Sequence, residues 1–142
     1  MLWDPIRCCQ VFATPEEKIR QLWLRRMMGP LGYPKGLLAV EKDLVAVSLQ
    51  SLGLDPNRRI DILCYTPDVK QGLMPLLLIE CKAENSPAQN QVFGYNDVIG
   101  APFVCICLGE NAQTFWKEKD TVVSAPFLPS YTELYQARQR LQ

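Results

Sequence analysis

The sequence predicts an α/β fold, a mixed central sheet with helices packed against it. Three observations carry that expectation. Strand-length apolar runs at 59–65, 74–82 and 103–108 are separated by stretches rich in glycine, proline and other turn residues. A capped helix precedes them. The last two runs are joined by a segment long enough to hold a helix, whereas the earlier connections are turn-length. Short connections suit an antiparallel meander. A helical crossover makes the final strand parallel to its predecessor, and such crossovers are nearly always right-handed.

The chain has 142 residues, which suits a single domain over 1–142. Its core is expected at about 14–117, with a C-terminal helix at about 131–141. Residues 1–13 are a lead-in, a short strand or an arm lying on the core. Thr14-Pro15-Glu16-Glu17 is a helix start: threonine caps, proline fits the first turn and Glu17 completes a capping box. Ile19, Leu22, Trp23 and Met27 follow at helical spacing and mark the core face. Arg20, Arg25 and Arg26 lie off that stripe and read as a solvated face. Gly29-Pro30 stops the helix, and 31–36 is a loop rich in breakers.

The segment 37–47 is open between helix and strand. Val40, Val45 and Val47 favour strand, with Glu41 an acidic interruption. Gly53 to Arg58 reads as a turn. Arg59 to Tyr65 is a strand in which Asp61 shares a face with Leu63 and Tyr65. Pro67 to Gly72 turns, with Pro75 placed just ahead of the next strand. Leu76 to Ile79 shows no polar alternation, so that strand is buried on both faces. It ends in Glu80-Cys81-Lys82, which puts Glu80 and Lys82 on one face and Cys81 on the other. Asn85 or Ser86 caps a helix expected over 87–99, bearing Gln91, Val92, Tyr95 and Ile99. Phe103 to Leu108 is another buried strand, Gly109 to Thr114 turns, and Phe115-Trp116-Lys117 begins an edge strand. Ser130 and Glu133 form a second capping box.

Composition narrows the chemistry. Formal net charge is zero, so any nucleic-acid surface is a local patch, with the first helix's arginines and Arg58-Arg59 as candidates. With no histidine there is no Ser-His or Cys-His nucleophile. The six cysteines contain no Cys-x-x-Cys pair and read as packing residues, which argues against zinc. No Gly-x-x-x-x-Gly-Lys-Ser/Thr phosphate loop is present. No run reaches membrane-spanning length, and the N-terminus is too short and polar for a signal peptide. The expected setting is a reducing cytoplasm.

A carboxylate and an ammonium side by side on a buried strand ask for an explanation, because buried charge is costly unless paired or metal-bound. Antiparallel pairing brings the start of one strand beside the end of the next, so Asp61 can meet Glu80. Two carboxylates repel unless a cation lies between them. With oxygen ligands only, that cation is Mg²⁺ or Mn²⁺. The Cys81 main-chain carbonyl could add a ligand. Lys82 would orient or help deprotonate the attacking water and offset phosphate charge, the equipment of metal-assisted phosphodiester hydrolysis. The plainer alternatives are a Glu80–Lys82 ion pair at a strand end, Asp61 paired with Arg58 or Arg59, and a half-buried helix face for Gln91 and Tyr95.

In this order, Asp61…Glu80-Cys81-Lys82 followed by Gln91-x-x-x-Tyr95 resembles the signature of the PD-(D/E)XK nucleases, whose restriction-endonuclease-like core runs αβββαβ. The phrases Gly32-Tyr33-Pro34, Val40-Glu41-Lys42 and Arg59-Ile60-Asp61-Ile62 resemble the N-terminal nuclease domain of type I restriction enzyme R subunits. The resemblance implies a DNA endonuclease with Asp61 and Glu80 as metal ligands and Lys82 as catalytic lysine. It implies that Gln91 and Tyr95 help position the nucleic-acid backbone or the site; Arg58 and Arg59, as a basic patch, are candidates for the same contact. Glu41 matches an acidic position of that family, as a further ligand or a base near the site. R subunits carry an ATP-driven translocase after this domain and this sequence shows none. The expectation is therefore an isolated nuclease module to which a protein partner delivers DNA, or a non-catalytic one acting in nucleic-acid binding or in a larger complex, with a homodimer as a further possible assembly.

Overall fold

The computed structural model describes residues 1–43, 59–83, 96 and 99–141. The turn at 53–58, most of the helix expected at 87–99, and with them Arg58, Gln91 and Tyr95, lie outside the described residues.

The lead-in is a hairpin, with β1 at Leu2–Asp4 and β2 at Cys9–Val11 paired antiparallel. Helix α1 is Pro15–Met28. A single 3-10 turn, Lys35–Leu37, leads into β3 (Leu38–Asp43), β4 (Arg59–Asp68) and β5 (Gly72–Lys82). Then come β6 (Phe103–Leu108), β7 (Asn111–Glu118), β8 (Thr121–Ala125) and helix α2 (Tyr131–Leu141). The main sheet has six strands in the order β3-β4-β5-β6-β7-β8. β5 and β6 are parallel and every other pair is antiparallel. The mixed sheet and the parallel crossover are as expected, and β3 decides the open segment at 37–47 in favour of strand as far as Asp43.

Both faces of the sheet are covered. On one, Trp23, Leu24 and Met27 of α1 and Leu134 of α2 pack on Ile62, Leu77, Ile79, Phe103 and Cys105. On the other, Ile60, Leu63, Leu78, Val104, Ile106 and Phe115 form a second layer with Ile99, which is helical, packed on it. Leu76 to Cys81 are buried without a break, the two-sided burial that the unalternated run implies.

Three local expectations are corrected. β5 begins at Gly72, so Pro75 lies inside the strand. It is tolerated because the register shifts there: Cys64 faces Leu77 while Tyr65 faces Pro75, leaving Leu76 as the extra residue of a bulge. The preceding turn is correspondingly shorter, since β4 runs through Pro67 to Asp68, whose carboxylate accepts from the Lys70 and Gln71 amides. The expected turn at 109–114 is mostly strand. β7 is an interior strand, and the edge is β8, reached through Lys119 and Asp120, both at positive φ.

The capping boxes differ from each other. At α2, Ser130 and Glu133 exchange both hydrogen bonds, 3.1 and 3.2 Å. At α1, Thr14 accepts from the Glu17 amide, but the Glu17 carboxylate turns away to two arginines. Tyr33 is an anchor: its hydroxyl donates to the Pro129 carbonyl at 2.8 Å and ties the loop after α1 to the start of α2.

Candidate active site

The site forms where the sheet comes apart. The β4–β5 ladder runs to Ile62↔Ile79, and Asp61 and Glu80 are the next residues across. Alternation also breaks here, because Ile60 and Leu63 belong to one core layer and Ile62 to the other. Asp61 fills the gap with its side chain. Its Oδ2 accepts the Cys81 amide at 2.8 Å, satisfying a donor that would otherwise be left over. Its Oδ1 accepts from Arg20 Nη2 at 2.7 Å.

Glu80 is 7 % exposed and lies within hydrogen-bonding reach of Asp61. Burial and then the Asp61 charge push its carboxyl up to about 7, with Lys82 pulling the other way. Lys82 Nζ is 3.2 Å from Glu80 Oε1. Partial burial lowers the lysine's pKa, and the Glu80 carboxylate more than reverses this, so Lys82 is held as a cation. Asp61, Glu80 and Lys82 are thus brought together at one strand end.

Around them is a layer of charge that sequence reasoning missed. Arg20, read as solvated, is 5 % exposed. Its Nη1 bonds Glu17 at 2.8 Å and lies 3.1 Å from Glu41, while Nη2 holds Asp61. Arg7, from the tip of the β1–β2 hairpin, reaches Glu17 at 2.7 Å and Glu41 at 3.1 Å. Asp4 folds that tip by accepting the Ile6 and Arg7 amides, pairs with Arg7 Nε at 2.7 Å and receives Gln21 Nε2 at 3.0 Å. Burial opposes the Arg20 charge, yet its carboxylates raise its pKa overall. A signal for this layer existed in the spacing. Glu17, Arg20, Gln21, Leu24 and Met27 occupy one helical face, so the polar residues continue the apolar stripe.

The other expected residues lie around this trio rather than in it. Glu41 has φ +50°, a rare conformation for a residue with a side chain, and both its carboxylate oxygens face guanidinium groups. Arg59 is exposed at the start of β4, opposite Asp43. Cys81 is buried among core thiols, and burial holds the neighbouring Cys107 thiol well above its usual range. Among the described residues, no group of three or more His, Cys, Asp or Glu side chains is placed to hold a metal ion. No helix among them is long and apolar enough to cross a membrane.

A sheet that splays at an aspartate, with a glutamate and a lysine two residues apart on the next strand, can be compared with known proteins. The model of the type I restriction enzyme R protein N terminus matches residues 15–129. The chain belongs to that family. It therefore falls within the PD-(D/E)XK-like restriction nucleases, and its mixed sheet with flanking helices has the architecture of their core. Among solved structures it is similar to a fragment described as an HsdR subunit of a type I restriction enzyme from Vibrio vulnificus, with a TM-score of 0.59 and 18% identity. The match covers 89% of this chain and 25% of that one, so this chain spans about a quarter of that fragment. No curated protein matches.

Proposed function

We propose that the splayed end of β4 and β5 is a metal-dependent centre for hydrolysing DNA phosphodiester bonds. The observation that carries this reading is the meeting of Asp61 and Glu80, buried enough to raise the Glu80 pKa, with Lys82 on Glu80. Two carboxylates in one small space suit a hard divalent cation, Mg²⁺ or Mn²⁺, with the Cys81 carbonyl and water completing the shell. The set is compatible with the lack of a three-side-chain cluster among the described residues, because only two side chains are asked to ligate. Such an ion, when bound, polarises a phosphoryl oxygen and eases deprotonation of the attacking water.

The chain's own groups have separable tasks in this reading. Asp61 and Glu80 hold the cation, and Lys82, kept protonated, stabilises charge on the phosphate. Gln91 and Tyr95, four positions apart in the sequence, are assigned to positioning the DNA backbone, with Arg58 and Arg59. Family membership supports DNA as the substrate, and supports a protein partner that delivers it.

Purified protein is expected to nick supercoiled plasmid with Mg²⁺ or Mn²⁺ and not with EDTA. Lys82→Ala and Glu80→Ala each remove the activity, a loss of at least about 100-fold. Equal nicking by wild type and Lys82→Ala would sink the mechanism.

A second reading is a non-catalytic module that binds nucleic acid or docks in an assembly. The Arg20–Asp61 contact favours it, since a guanidinium already neutralises one of the two carboxylates. DNA binding that persists in EDTA, without cleavage in Mg²⁺, would select this reading.

A further inference from the structure

The charged layer beneath the site belongs to no motif that first drew attention to Asp61, Glu80 and Lys82. It is an expensive arrangement. Arg20, Glu17 and Asp4 are each at least nine-tenths buried, and taking ions out of water costs several kcal/mol apiece. Among the described residues, Arg20 Nε is the buried side-chain atom left without a partner. Both terminal nitrogens are committed, Nη2 to Asp61 and Nη1 to Glu17 and Glu41.

The geometry constrains Asp61 from two sides. Arg20 takes Oδ1 and the Cys81 amide takes Oδ2, which fixes the plane of the carboxylate. Arg20 in turn cannot swing away. Glu17 holds it within the same helix, and Arg7 locks Glu17 and Glu41 from the hairpin. Glu41 is spanned by the two guanidiniums, Oε1 near Arg20 and Oε2 near Arg7, each at 3.1 Å. Groups that hydrogen-bond a ligating carboxylate set its orientation, and losing one commonly weakens metal binding about 10- to 100-fold.

We propose that Arg20, braced by Glu17 and Arg7, is the positioning residue for Asp61, and that Glu41 belongs to this brace rather than to the ligand set. The inference rests on the metal-centre reading given above. Its test measures Mn²⁺ binding to the whole chain by calorimetry, alongside thermal unfolding, with no need for DNA or turnover. Arg20→Lys keeps the charge but not the planar fork that serves three carboxylates at once. It is expected to remain folded and to bind Mn²⁺ on the order of 10-fold or more weakly. Glu41→Gln, at a half-exposed position that leaves no buried charge alone, keeps the fold and weakens binding only a few-fold, whereas Asp61→Asn abolishes it. Arg26→Gln, on a guanidinium that stacks over Trp23, is the control and leaves binding unchanged.

Wild-type affinity in Arg20→Lys, beside lost affinity in Asp61→Asn, would overturn the positioning role while sparing the metal centre. A Glu41→Gln loss as deep as that of Asp61→Asn would return Glu41 to the ligand set and overturn that half of the proposal. Unchanged binding in Asp61→Asn would bring down the metal centre itself, and the inference with it. If Arg20→Lys does not fold, Arg7→Lys makes the same test two contacts further from Asp61, through Glu17 and Arg20, with a smaller expected loss, and wild-type binding there overturns the brace.

Discussion

The two ends of the buried face of α1 make a useful pair. Towards its C-terminus the face is Trp23, Leu24 and Met27, apolar and packed on the sheet. Towards its N-terminus it is Glu17, Arg20 and Gln21, just as deeply buried and wholly polar. One end supplies stability through apolar area removed from water. The other faces desolvation that its ion pairs only partly offset, and buried pairs of this kind often stabilise no better than apolar residues of the same size. Burial therefore does not say what a residue is for. The polar end lies over Asp61, where the sheet splays, and the apolar end lies over the continuous part of the sheet. The helix changes character where the sheet beneath it changes task.

Substitutions can sharpen that contrast. The largest stability effect should come from the apolar end. Leu24→Ala leaves a cavity under a fully buried side chain and is expected to cost about 2–5 kcal/mol by urea titration, with Mn²⁺ affinity unchanged. A parallel loss of metal affinity would show that the two ends are one unit.

At the site the expected effect is smaller and depends on pH. A carboxyl whose pKa is raised on folding binds its proton more tightly in the folded state. Its stabilising contribution is complete below about 4.5 and is lost as pH rises through about 7. Metal-free protein should therefore lose on the order of 1–3 kcal/mol across that window, and Glu80→Gln should flatten the slope in melts from pH 4 to 8. An unaltered slope in Glu80→Gln would place the titrating group elsewhere. Mg²⁺ should favour the ionised form and recover stability most at the alkaline end.

The smallest effect is at the first turn. Thr14→Ala removes the cap that holds the Glu17 amide, at a cost of about 1 kcal/mol. Because Glu17 is the inner anchor of Arg20, this change should loosen the polar end selectively, and amide exchange at Glu17 and Lys18 should rise while that of Leu24 stays slow.

Much of this could be read in advance, for identifiable reasons. The run Leu76–Ile79 implied a central strand because an unalternated apolar stretch has to be covered on both faces. Glu80 and Lys82 fell on one face because strand side chains alternate. The edge is hard to read from sequence because residues 111–118 hold only Ala112, Phe115 and Trp116 as apolar residues, so a strand without a long hydrophobic run resembles a turn. The burial of Arg20 is not visible in a stripe of apolar residues alone, because the buried face of α1 continues through polar positions. The rotation of the true stripe, through Glu17, Arg20, Gln21 and Leu24, follows from packing against β4 and β5.

By itself, the sequence determined the sheet's central strand, the parallel step from β5 to β6, the two helix starts and the Asp61, Glu80 and Lys82 set at one strand end. These follow from periodicity and capping, which are local. Only the tertiary structure decided what surrounds that set. The hairpin that carries Arg7, the Arg20 fork and the inward turn of Glu17 join residues up to 41 positions apart in the chain, as in the Arg20–Asp61 contact. No periodicity encodes such contacts, because they exist only after the sheet has splayed at Asp61 and α1 has closed over the gap.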